Sequence, residues 1–160
     1  MSSAEKGSRP HFALAVATVV GVGYFPLAPG TCGSAAGLLL WAVLPASAAV
    51  QATAIAALFA IGSWSGSVAE RHFGTRDPAP VVIDEVMGMI VTLFLNPVGW
   101  GGALFAFFLF RLADVVKPYP ANRFEQLHGG LGVMADDCMA AVYANLVLRA
   151  VLAIGDRVIW

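Results

Sequence analysis

Charge is what this sequence has least of. Of 160 residues only 12% are charged, against 59% hydrophobic, where a soluble domain carries about 25% charged residues. The formal net charge is −1, which leaves no basic footprint for nucleic acid. Cysteine is nearly absent. Cys32 and Cys138 form no CxxC pair, so there is no zinc or disulfide framework, and buried free thiols are the plain expectation. No strand-like alternation lasts long enough to compete with helical periods, and no internal repeat stands out. A cleavable leader is not evident either. The apolar stretch Phe12 to Val22 feeds a Gly/Pro loop and is expected to stay in the mature chain.

What is present is a series of apolar runs divided by proline, glycine and short polar loops. The length suits one domain. Residues 1–10 read as a flexible polar tail and 11–160 as a single helical domain. His11 to Val22 forms a short helix. "GYFPLAPGTCGSAAG" is a loop feeding a helix from about Gly33 to Leu44. Further helices run from about Ala48 to His72, Val82 to Leu95, Trp100 to Val116 and Met134 to Ile154, with a short amphipathic turn or helix over Ala121 to His128. The expected class is all-α, a compact bundle of about five to six main helices, embedded in or associated with a membrane. Two runs are long enough to span. Legs such as Glu85 to Leu95 reach only about 17 Å at about 1.5 Å per residue, short of a hydrocarbon core of about 30 Å. A soluble bundle with a very apolar core is the competing expectation.

The few charges fall at helix ends and in loops on one side, while the turns at Pro45 and Asn96-Pro97 carry none. Lys6, Arg9, Arg71, Arg76, Lys117 and Arg123 belong to the charged side, which the distribution of basic residues makes cytoplasmic. Two acidic doublets stand out there: Asp84-Glu85 and Asp136-Asp137, each opening an apolar run. As helix N-terminal acids they would complement the macrodipole. Two doublets on one face of so charge-poor a chain point instead to a functional cluster. Gathered carboxylates repel unless protons or cations intervene. Oxygen ligands without a His/Cys cluster favour Mg²⁺ over Zn²⁺.

Arg111, Asp114 and Lys117 follow at i, i+3 and i+6, either as an ion-pair network or as a site in which Asp114 serves the metal or proton transfer and both cations hold phosphate. "PGTCGS" offers backbone N–H groups and the Thr31 and Ser34 hydroxyls as an anion cradle, or simply caps its helix. His128, beside Gly129-Gly130, reads as a loop histidine, a phosphate contact or a leaving-group acid.

Taken in order, "PGTCGS", "IDEVMGM", "FRLADVVKPYP" and "HGGLGVMADDCMAAVYA" make the chain resemble the phosphatidylglycerophosphatase A family, over most of Gly23 to Ala144. The resemblance implies an all-helical, Mg²⁺-dependent lipid phosphatase of the bacterial inner membrane, its site facing the cytoplasm, that converts phosphatidylglycerophosphate in the bilayer to phosphatidylglycerol and phosphate. It implies Asp84, Glu85, Asp136 and Asp137 as the acidic metal-site residues. Arg111, Asp114 and Lys117 match the family's Arg-x-x-Asp-x-x-Lys-Pro block, and Thr31, Gly33 and Ser34 its proline–glycine–threonine loop. Ala141 stands where the family often has glycine, which bears on helix packing. A covalent cysteine route is disfavoured, since neither Cys32 nor Cys138 opens a Cys-x5-Arg loop. A divalent-cation carrier or channel using the same carboxylates, and a structural membrane subunit, are the alternative readings.

Overall fold

Where proline, glycine and polar residues interrupt the apolar runs, the chain turns. The computed structural model describes residues 3–117, 119, 123, 127 and 129–158. Its helices are α1 (Ser3–Ala17), α2 (Pro29–Val43), α3 (Ala48–Phe73), α4 (Ile83–Leu93), α5 (Trp100–Val116) and α6 (Gly130–Val158), with a single 3₁₀ turn at Val22–Tyr24. No strand occurs among the described residues, and the expected all-helical bundle is what forms.

The shortest helix sits at the centre. α4 is apolar on every side, and a helix of that kind has to be enclosed. All of its residues except Glu85 are buried, and α2, α3, α5 and α6 pack around it while α1 lies against α3. Met87, Met89, Ile90, Phe110 and Met134 are fully buried and form an apolar layer through the middle of the bundle. Glycine permits the closest approach: a Cβ at Gly37 on α2 would lie 2.7 Å from the Val86 carbonyl oxygen. The short legs that sit awkwardly as membrane spans are thus explained by enclosure. α4 enters from the charged end, turns at Phe94 to Gly99, and the chain returns as α5.

Three boundaries differ from expectation. α1 starts inside the stretch read as a tail and ends at Ala17, where Val19 and Val20 take left-handed backbone. α2 starts at Pro29 rather than Gly33, because proline's fixed φ suits the first helical position. "PGTCGS" is therefore helix, with its glycines against α4. α6 starts at Gly130 rather than Met134. Gly130 packs on Ser63 and Gly66 of α3, and its N–H donates to Ser67 Oγ at 2.9 Å, so this glycine serves helix contact instead of a flexible link. The expected short helix over 121–128 falls mostly outside the described residues.

α3 and the Gly130–Gly155 part of α6 are long and apolar enough to cross a membrane. Outward-facing Leu39 and Val43 on α2, Phe108 and Leu112 on α5, and Leu146, Val151 and Ile154 on α6 are exposed.

Candidate active site

The first turn of α4, the last two turns of α5, the first turn of α2 and the second turn of α6 meet at the charged end. Asp84 and Glu85 open α4, where the helix dipole favours acidic groups. Asp137 approaches from α6. One carboxylate oxygen from each of Asp84, Glu85 and Asp137 can be chosen so that all lie within 4.8 Å of one another. The doublet on α4 thus meets one member of the doublet on α6.

Asp136 does not join that trio. Neighbours on a helix point about 100° apart, and Asp136 faces the end of α5, where its Oδ2 accepts a hydrogen bond from Lys117 Nζ at 2.6 Å. Its Oδ1 accepts the N–H of Asp137 at 3.0 Å. Lys117 ends α5 in left-handed backbone (φ 44°), a sparsely populated conformation of the kind that gathers at functional sites. It also stands 4.0 Å from Asp77.

Arg111 and Asp114 share a face of α5 and pair at 2.7 Å. The same guanidinium lies 3.7 Å from Glu85 Oε1 and donates to Ser34 Oγ at 3.4 Å. Ser34 in turn donates to the Gly30 carbonyl at 2.9 Å, which holds the hydroxyl oxygen toward Arg111. Gly33 is the close contact of α2 with Val82. Thr31 is exposed on the first turn of α2. His128 lies outside the described residues. Of the expected site residues, then, Ser34, Asp84, Glu85, Arg111, Asp114 and Asp137 form one connected group, with the Lys117–Asp136 pair beside them.

Sequence reasoning passed over Gly30. A Cβ there would collide with Glu85 Oε1 and stand 3.0 Å from an Arg111 nitrogen. The signal was the second residue of "PGTCGS", hidden behind the more conspicuous Gly33.

The electrostatics are those of crowded, buried acids. Burial, then the adjacent Glu85, pushes the Asp84 carboxyl well above the usual carboxylate range. Burial, then Asp137, pushes Glu85 up to about 8, against the partial relief of Arg111. Among the described residues, Asp84 Oδ1, Glu85 Oε2 and Asp137 Oδ2 are buried with no hydrogen-bond partner. Buried polar atoms are nearly always satisfied, and orphaned carboxylate oxygens are the costliest exceptions. Three of them, one from each member of the trio, are what a bound cation would satisfy. The donors are all hard oxygens, the set that suits a hard divalent ion.

A family model described as phosphatidylglycerophosphatase A matches residues 15–152. The chain is 37% identical over 135 residues to the phosphatidylglycerophosphatase A of Haemophilus influenzae, covering 82% of this chain and 83% of that one. It is 33% identical over 146 residues to the Escherichia coli protein of the same name, covering 89% and 84%. A Bacteroides thetaiotaomicron protein named "Putative phosphatidylinositol-3-phosphatase" is 35% identical over 150 residues, covering 88% and 94%. No solved structure matches the chain.

Proposed function

The chain belongs to the phosphatidylglycerophosphatase A family of phosphoric monoester hydrolases, and from that premise we propose that it is a Mg²⁺-dependent enzyme releasing inorganic phosphate from phosphatidylglycerophosphate. The observation that carries this chemistry is the convergence of the Asp84, Glu85 and Asp137 carboxylates from α4 and α6, each with one buried oxygen that lacks a partner, beside two cationic side chains.

Asp84, Glu85 and Asp137 would hold the ion, which would supply charge neutralisation for the phosphomonoester and activation of the attacking water. Arg111 presents a planar fork to the phosphate oxygens, aimed by Asp114 at 2.7 Å and by Ser34. Lys117 adds a compact charge, and Asp136 fixes its position. Together these cations stabilise the charge that builds on the equatorial oxygens. Thr31, exposed on the first turn of α2, is assigned to the same anion, and the small residues Gly30 and Gly33 let that turn sit close to Glu85. His128 is assigned to that phosphate on sequence grounds alone.

α3 and α6 cross the bilayer, the exposed apolar side chains of α2, α5 and α6 face lipid, and the site lies at the headgroup level. Its side is the cytoplasmic face of a bacterial inner membrane, on the basic residues Arg71, Arg76, Arg111 and Lys117 at that end, although Arg149 stands at the other. The diacylglycerol portion then never has to leave the bilayer. A cation carrier is disfavoured, since a carrier needs polar groups along its path. Here Met87, Ile90, Phe110 and Met134 fill the space beneath the carboxylates, all fully buried.

Phosphate release from phosphatidylglycerophosphate in detergent micelles tests the reading, with Mg²⁺, then EDTA, and with phosphatidylinositol 3-phosphate as a competing substrate. Turnover that needs Mg²⁺ and prefers the glycerophosphate headgroup is expected. Undiminished turnover in EDTA refutes the metal assignment, and preference for the inositol lipid refutes the substrate.

A further inference from the structure

A second polar cluster lies at the far end of α4, away from the carboxylates. The last carbonyls of any helix lack intrahelical partners, and α4 ends on Phe94 in extended backbone followed by Leu95 in left-handed backbone (φ 58°). Its carbonyls are taken up by another helix. Asn145 on α6 donates through Nδ2 to the carbonyl oxygens of Val91 at 3.0 Å, Thr92 at 2.9 Å and Phe94 at 2.9 Å. Asn145 Oδ1 accepts from Arg149 Nε at 2.8 Å, and Arg149 NH2 donates to Phe94 O at 3.1 Å. Asn145 is buried. A guanidinium on so apolar a stretch is costly unless backbone carbonyls receive it, as they do here.

The spacing on the two helices matches. Asn145 stands eight residues beyond Asp137, and Leu93 stands eight beyond Glu85. Each interval is about 12 Å at about 1.5 Å per residue. α4 and α6 therefore run side by side in the same direction, joined by directional bonds at one end and facing carboxylates at the other. Between the two ends lie apolar contacts, which have no direction and resist a small axial slip weakly. Hydrogen bonds, in contrast, weaken steeply with misalignment.

We infer that Asn145, assisted by Arg149, is a positioning residue: it sets the register of α4 along α6 and thereby holds Asp84 and Glu85 opposite Asp137. The inference rests on the cation-binding role proposed above. Mg²⁺ demands near-ideal octahedral geometry, so a slip that leaves the bundle folded still weakens the site.

The test is cation binding by the full-length protein in micelles, read as the rise in melting temperature with Mg²⁺ concentration, alongside turnover. Asn145→Leu removes the donors at similar size. Its half-saturating Mg²⁺ should increase at least about tenfold, the range seen when a metal ligand loses its orienting partner, while kcat at saturating Mg²⁺ stays within about threefold. Asn145→Gln keeps an amide donor and should recover much of the affinity. Arg149→Met, which spares the three Asn145 bonds, should shift half-saturation only about threefold. Asp137→Asn is the control that abolishes the Mg²⁺ response. A lower melting temperature in Asn145→Leu with wild-type half-saturation overturns the inference and leaves the cation site standing. An unaltered Mg²⁺ response in Asp137→Asn overturns the site itself and the inference with it. Should Asn145→Leu fail to fold, Asn145→Ser, which is too short to reach the three carbonyls, takes its place, and wild-type half-saturation in both Asn145→Ser and Arg149→Met overturns the inference.

Discussion

The two ends of α4 bury polar atoms in opposite ways. At the C-terminal end, the Val91, Thr92 and Phe94 carbonyls each receive a side-chain donor. At the N-terminal end, three carboxylate oxygens from α4 and its neighbour α6 have no partner among the described residues. The same fold that satisfies the Val91, Thr92 and Phe94 carbonyls at one end leaves carboxylate oxygens of Asp84, Glu85 and the facing Asp137 unpartnered at the other. Such a contrast distinguishes a structural polar cluster from a candidate ligand site, since unsatisfied buried groups persist only where something other than stability retains them.

The most severe way to break the contrast is to remove one unsatisfied oxygen. Asp137→Asn should lower kcat/KM for the lipid substrate by about a hundred- to a thousand-fold, while the EDTA-treated protein melts no lower than wild type, because one of three crowded acids is gone. Gly30→Ala comes next. Its methyl collides with Glu85 and crowds Arg111, and a displacement of that kind costs about a hundredfold in turnover with Mg²⁺ affinity also reduced. Arg111→Lys keeps the charge but loses the fork that Asp114 aims, so kcat/KM should fall about tenfold to a hundredfold.

A smaller effect sharpens the contrast through pH. The Glu85 carboxyl rises from 4.5 to about 8 on burial, so the folded chain holds this proton more tightly than the unfolded chain does. That contribution to stability is complete below about pH 4.5 and fades as pH climbs toward about 8. Melting of the cation-free protein should accordingly drop across that window, and saturating Mg²⁺ should flatten the decline. The smallest effect belongs to the satisfied end. Asn96 donates to Thr92 O at 3.2 Å and Phe94 O at 3.4 Å within its own segment and does not reach α6. Asn96→Ala should therefore cost about 1 kcal/mol of stability, the worth of a typical hydrogen bond, with turnover and Mg²⁺ half-saturation unchanged.

Much of this architecture could be read from residue order. Ala48 and Trp100 begin helices where expected because Pro45 and Pro97 stop the preceding runs. The acidic doublets advertised themselves by standing against apolar runs in a charge-poor chain. What the sequence concealed was the facing of individual side chains. The doublet Asp136-Asp137 reads as one unit, yet the two acids face Lys117 and the carboxylate trio separately, a division set by how α6 is rotated against α4 and α5. Glycines misled in the same way. The first glycine of "PGTCGS" and the second of "GGLG" suggest loops, whereas Gly30 and Gly130 lie in helices that press together too closely for a side chain. Asn145 looked like one polar residue in an apolar run, and only the neighbouring helix end reveals what it meets.

The central placement of α4 also bears on how the protein is made. Its enclosing wall includes α6, which emerges from the ribosome well after α4 has been synthesised. Until then α4 has neither Asp137 near its first turn nor Asn145 at its last. The innermost helix thus gains its full wall only once α6 is made, and nascent chains that stop short of Gly130 would carry Asp84 and Glu85 without the acid that completes the carboxylate trio.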